Sequence, residues 1–275
     1  MSQGGVSERI GFLRRRIAAI EARDGVARGV REGARDSIDA LFSPGRAGLS
    51  ELLPARPPDA PGAGAFALAL ALRARAARGG GALVWIVEDF SAGEFGLPYG
   101  RGLAAAGMDL SRFALIRVRR PRETLWAMEE ALRSEACAAV VAESFLPARL
   151  YDLSASRRLL LAARRGGGLG LVVAQGAEAT RFSSAAELRL EIAAAPVPPS
   201  RPRPALSPAA PFAWRLRVTK ARAGLLGETG EIDPGQWRDL AFDPERVVFR
   251  HAFPERLPAP SCDRPAAAAA RRRRA

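Results

Sequence analysis

Apolar runs at residues 82–87, 138–142 and 169–174, and a fourth at 113–118 broken only by Arg117, are separated by stretches of helix length. A run that is apolar at every position has to bury both of its faces. That is the situation of a strand in a parallel sheet covered by helices on both sides. The intervening segments carry the helices that parallel pairing requires. Residues 122–135 place Leu125, Met128, Ala131 and Leu132 on one side, and residues 154–165 run into Gly166, Gly167 and Gly168. Upstream, residues 49–53 read as a strand, 54–64 as a loop rich in Pro, Gly and Asp, and 65–78 as a helix closed by three glycines at 79–81. A further helix is expected over 97–106. Residues 188–192 alternate Leu-Arg-Leu-Glu-Ile, the pattern of a half-exposed strand near an edge. Right-handed crossovers between such strands give an α/β core over residues 25–195, a mostly parallel sheet flanked by helices.

Outside that core the pattern changes. Residues 1–24 form an amphipathic helix, with Val6, Ile10, Leu13, Ile17 and Ile20 stepping by four, three, four and three along one narrow stripe. The spacing suits docking on a partner, and it equally suits packing on the chain's own domain. Residues 196–211 are a Pro-rich extended linker. Residues 212–222 alternate again, Trp214, Leu216 and Val218 against Arg215, Arg217 and Thr219, and 247–249 reads as a further strand. Residues 212–250 are therefore expected as a small β appendage. Residues 251–275 end in alanines and four arginines, a low-complexity basic tail expected to be disordered.

Composition narrows the chemistry. With 48% apolar residues in a 275-residue chain, a sizeable core is available. No apolar stretch approaches the roughly 20 residues that span a bilayer, and arginines at 14–16 interrupt the N-terminus, so a cytoplasmic protein without a signal peptide is expected. Two cysteines and one histidine exclude a disulfide scaffold and a Cys/His zinc site, and His251 has no Ser or Cys motif beside it. No metal and no catalytic residue is expected. The formal net charge is +13, and Lys220 is the only lysine among 42 basic residues. Such a balance favours anionic partners, nucleic acid or acidic protein surfaces. The abundance of Arg, Ala, Gly and Pro also fits a GC-rich genome, which substitutes Arg for Lys without functional cause. Among the arginines, Arg119 and Arg120 at a strand end, and Arg157, Arg158, Arg164 and Arg165 on a helix, are candidate contacts to DNA or to an acidic partner. For any single pair a solvated helix face is the simpler reading.

A nucleotide-binding α/β fold holds phosphates on the loop after its first core strand, using glycines, a lysine and a Ser or Thr for magnesium. Here that stretch, residues 57–66, keeps Gly62 and Gly64 but has no lysine and no following hydroxyl. Tight ATP binding is not expected, and no cofactor is assigned.

The order of motifs resembles the RecA core and, more closely, the ImuA family of damage-induced mutagenesis proteins. The landmarks are Trp85-Ile86-Val87-Glu88-Asp89, the helix segment from Leu125 to Arg133, and Leu153-Ser154-Ala155-Ser156-Arg157-Arg158-Leu159. The strand running to Glu143 and Ser144 is similar to the one carrying the magnesium-side acid in RecA, and the strand running to Gln175 to the one ending in its nucleotide-sensing glutamine. The resemblance extends from about residue 10 to 192, more weakly to 249. It implies a RecA-like core, with Glu143 at the magnesium-side position, Asp89 at the water-activating position and Gln175 at the sensing position. The alternative for Glu143 and Asp89 is that carboxylates at strand ends solvate the sheet's carboxyl edge. It also implies a non-catalytic accessory role in SOS-induced, error-prone translesion synthesis. The implied partners are a Y-family-like polymerase homologue and an error-prone replicative-type polymerase, with RecA and single-stranded DNA as further candidates. A cryptic RecA-like ATPase and a SulA-type cell-division inhibitor are the competing readings.

Overall fold

The computed structural model describes residues 42, 46–176, 183–195, 212–222 and 235–252. The N-terminal stripe from Val6 to Ile20, the linker at 196–211 and the tail beyond 252 lie outside the described residues. Nine strands form one sheet in the order β3-β2-β4-β5-β1-β6-β7-β8-β9. The parallel part comprises β1 (Gly48–Pro54), β2 (Ala82–Glu88), β3 (Phe113–Val118), β4 (Cys137–Ser144), β5 (Leu169–Ala174) and β6 (Leu188–Ala194). Strands β7 (Phe212–Ala221), β8 (Trp237–Asp243) and β9 (Val248–His251) continue it antiparallel from the β6 edge.

Period-two alternation sorts the apolar runs between two layers. Leu83, Trp85 and Val87 of β2 face helix α1 (Ala60–Ala77), together with Leu52, Val141 and Val173. Val84 and Ile86 face the opposite way, towards the layer containing Leu125, Met128 and Leu132 of α4 (Pro121–Leu132) and Leu159 and Ala163 of α5 (Leu153–Gly166). Helix α1 is buried along most of its length, on all sides, which is why it lacks a polar stripe.

Several expectations shift. The loop expected over 54–64 is short: a 3₁₀ turn at Pro57–Asp59 leads directly into α1 at Ala60, with Pro61 tolerated in the first helical turn. The helix expected over 97–106 is shorter, α3 (Gly100–Ala105), and a further helix, α2 (Asp89–Phe95), precedes it. Gly96 (φ 83°) and Pro98 lie between them. Strand β3, expected to be buried, is an edge of the sheet among the described residues, its middle residues exposed. Conversely β6, expected near an edge, lies inside the sheet between β1 and β7. Its alternation arises because one face meets the α1 layer, burying Leu188, Leu190 and Ile192, while Arg189 and Glu191 point to the other. The β appendage is no separate body, because β7 to β9 share the sheet and complete its core. None of the helices among the described residues is long and apolar enough to cross a membrane.

Candidate functional site

The carboxyl ends of β1, β2, β4 and β5 converge on one edge, where a doubly wound sheet offers its crevice. The turn after β1 sets the first wall. Asp59, buried at the N-terminal end of α1, accepts hydrogen bonds from Arg56 Nε (3.1 Å) and from the Ala194 amide (3.0 Å). The anion-attracting end of the helix thus already has the chain's own carboxylate beside it. Gly62 and Gly64 are helical residues of α1's first turns and not part of a loop. The Gly62 carbonyl accepts from Trp214 Nε1 of β7 (2.9 Å). Gly64 is pressed against Glu143: a Cβ there would lie 2.5 Å from Oε1 and 3.8 Å from the Trp85 ring. Burial pushes the Glu143 carboxyl up to about 7, only partly opposed by the Trp85 indole.

Asp89 does not join this cluster. It opens α2 and receives two N–H groups of Arg117 from β3, Nε at 3.0 Å and Nη2 at 2.7 Å, in an exposed ion pair. The strand-end acid that turns inward is its neighbour Glu88, which accepts from Ser144 Oγ (2.6 Å) and the Phe145 amide (2.9 Å). Gln175 is buried and its side-chain oxygen accepts from Ser91 Oγ of α2 (2.7 Å), while its amide donates to the Ser144 carbonyl (3.0 Å). The carboxyl edge is therefore laced by three separate contacts: Gly64 against Glu143, Glu88 to Ser144, and Ser91 to Gln175. Phe145 stands above them with Phe90 at 4.8 Å edge-on and Phe95 stacked at 6.0 Å.

Glu88, Ser91, Asp59 and Arg117 were not singled out by sequence reasoning. For Glu88 the signal was present: it continues the Val84–Ile86 parity of β2 and so falls on the same face as those core residues, whereas Asp89 is past the strand. Asp59 stands three residues after Arg56, a spacing that sequence reasoning passed over, while its contact with Ala194 and that of Arg117 with Asp89 are non-local.

The arginines divide into two places. Arg119 and Arg120 follow β3 and donate their backbone amides to Glu123 (2.9 and 3.3 Å), fixing the start of α4. On α5, Arg158 pairs with Glu129 of α4 (3.3 Å) and Arg164 with Glu187 (2.8 Å), while Arg157 and Arg165 point to solvent. The free edge adds an apolar element: Leu115 and Ile116 of β3 are 39% and 38% exposed. Among the described residues no group of three or more His, Cys, Asp or Glu side chains is gathered to hold a metal ion.

Comparison with known proteins finds no matching family model. Two curated relatives, each named Protein ImuA, from Caulobacter vibrioides strains NA1000 / CB15N and ATCC 19089 / CIP 103742 / CB 15, are 34% identical over 158 residues. The matched stretch covers 54% of this chain and 59% of each relative, less than two thirds of their length. Among solved structures, SulA from Pseudomonas aeruginosa matches 46% of this chain and 98% of its own at 21% identity, with a TM-score of 0.36, too distant a likeness to carry a conclusion.

Proposed function

We propose that this chain belongs to the ImuA family, whose named relatives it matches at 34% identity over 158 residues, and that it is a cytoplasmic, non-catalytic accessory factor of damage-induced mutagenesis. In this reading it carries a RecA-like core whose nucleotide site has closed. The observation that carries the reading is the state of α1's first turns. A triphosphate there would meet Asp59 and Glu143 instead of a lysine, and Trp214 already holds the Gly62 carbonyl. The position assigned to water activation is held by Arg117, and the one assigned to sensing is tied to Ser91. Electrostatics of this sign repel phosphate and give magnesium no hydroxyl ligand.

What remains for function is surface. Among the described residues, edge β3 pairs on one side only and carries exposed Leu115 and Ile116, with arginines at 117, 119 and 120. That combination suits an added strand from a partner. The partners in this reading are the Y-family-like polymerase homologue and the error-prone replicative-type polymerase, with RecA and single-stranded DNA as further candidates.

Two measurements test it. Millimolar ATP with magnesium should leave the melting temperature unchanged; a reproducible rise would reinstate nucleotide binding. The chain should also co-purify with the polymerase-like protein, with Ile116→Asp weakening the complex while leaving the melt intact. If the unmutated chain forms no complex, the accessory role is lost.

A further inference from the structure

Helix α5 has an outer surface that its own fold does not use. At 100° per residue, Arg157, Leu161 and Arg165 fall within about 80° of one another, along the crest facing away from the sheet. Leu161 is 55% exposed and Leu153, at the start of the helix, 54%. The helix contains no acidic residue, and the acids beside it are already engaged: Glu129 with Arg158 and Arg133, Glu187 with Arg164 and Arg46. Arg157 and Arg165 have no ion-pair or hydrogen-bond partner among the described residues. A groove lined by Ala148, Asp152, Leu153, Ser154, Arg157 and Ser183 opens beside the first turn, its one carboxylate, Asp152, already accepting from the Ala155 amide (2.7 Å).

We propose that this crest is a docking site for an acidic, amphipathic helical segment of a protein partner. Its carboxylates would pair with Arg157 and Arg165, and an apolar residue between them would cover Leu161. Charge complementarity selects an anionic occupant, since Arg157 and Arg165 stand without an ion-pair partner among the described residues on a helix that has no carboxylate of its own. The leucines select protein over nucleic acid. A phosphate backbone lying along the crest would leave Leu161 facing charge, whereas a peptide side chain removes it from water. The arginine fork binds carboxylates with two parallel N–H groups, giving orientation as well as attraction. The inference rests on the reading of the chain as a binding component, but it concerns a different surface from β3.

The test uses the full chain and a labelled helical peptide carrying glutamates one turn either side of a central leucine, with a scrambled peptide and an oligo-dT strand as competitors. The ordered peptide should bind, the scrambled one more weakly. Arg157→Glu with Arg165→Glu, and separately Leu161→Asp, should each reduce affinity roughly tenfold or more at unchanged melting temperature. These side chains are exposed, and Leu161→Ala supplies a milder variant should the aspartate disturb the helix. Equal binding of ordered and scrambled peptides, unchanged affinity in the variants, or displacement by oligo-dT of everything bound would overturn the proposal. A polymerase complex that survives the double reversal while the peptide fails to bind would remove the crest and leave the accessory role standing.

Discussion

Gly64 and Glu143 illustrate how a single contact can replace one chemistry by another. The helix turn that would have to admit phosphate admits a carboxyl group instead, because only a glycine leaves room for it. That carboxyl carries a pH dependence. Its value is raised from 4.5 to about 7 in the folded chain, so the folded state holds the proton more tightly than the unfolded one. The contribution is favourable below the ordinary value, declines as pH rises from about 4.5 to 7, and is flat beyond, amounting to a few kcal/mol at most. Glu143→Gln should therefore melt above the unmutated chain at about pH 8 and level with it near about pH 5. Parallel melting curves across that range would mean that Glu143 does not titrate there. The sequence pointed to Glu143 as a strand-end acid, but its partner Gly64 was read as part of a loop. Pro61, which tolerates a first helical turn as readily as a loop, hid the true start of α1.

The packing of α5 on α4 depends on Gly166, where a Cβ would run into the Leu132 carbonyl, a backbone atom that cannot swing away. Gly166→Ala should cost roughly 1–3 kcal/mol and lower the melting temperature. Gly93 in α2 is the counter-case, since a Cβ there meets nothing within 4 Å. Gly93→Ala should be neutral or stabilise by up to about 1 kcal/mol through helix propensity. Finding the two substitutions equal in paired melts would show that close approach is not what Gly166 provides. Periodicity made β2, β4, β5, α4 and α5 legible because each is decided by local burial. It misjudged β3 and β6 because an apolar run reports how many faces are covered and says nothing of which strand lies alongside. That information is pairwise and distant: β3 has one neighbour and β6 has two, one of them contributed by residues 212–221. Strand β8 escaped for a different reason, since only Leu240 and Phe242 mark its buried face.

Sharing one sheet with the parallel strands makes β7, β8 and β9 part of the core. Phe66 of α1 meets Trp214 of β7 at 5.2 Å and Phe249 of β9 at 5.3 Å, with Phe42 at 5.6 Å. Phe249 also lies 5.2 Å from Phe242 and takes the Arg73 guanidinium over its ring at 5.4 Å. Phe249→Ala should cost about 3–5 kcal/mol, as a buried aromatic lost from a packed cluster. A chain ending at Ala195 should fail to give a cooperative melt. If it melts sharply, the last strands are an accessory to the core after all.

The hydrogen bond from Trp214 to Gly62 spans 152 residues of sequence. A ribosome adding roughly 5–20 residues per second takes about 8–30 s to cover that distance. For that interval the nascent chain has made α1 but not the strand that closes over it, so Phe66 lacks its cover, and once β6 is made its outer edge waits for β7 in turn. Slower translation across residues 196–211 should therefore lower the yield of folded protein, as a pulse-chase with synonymous rare codons placed there would show.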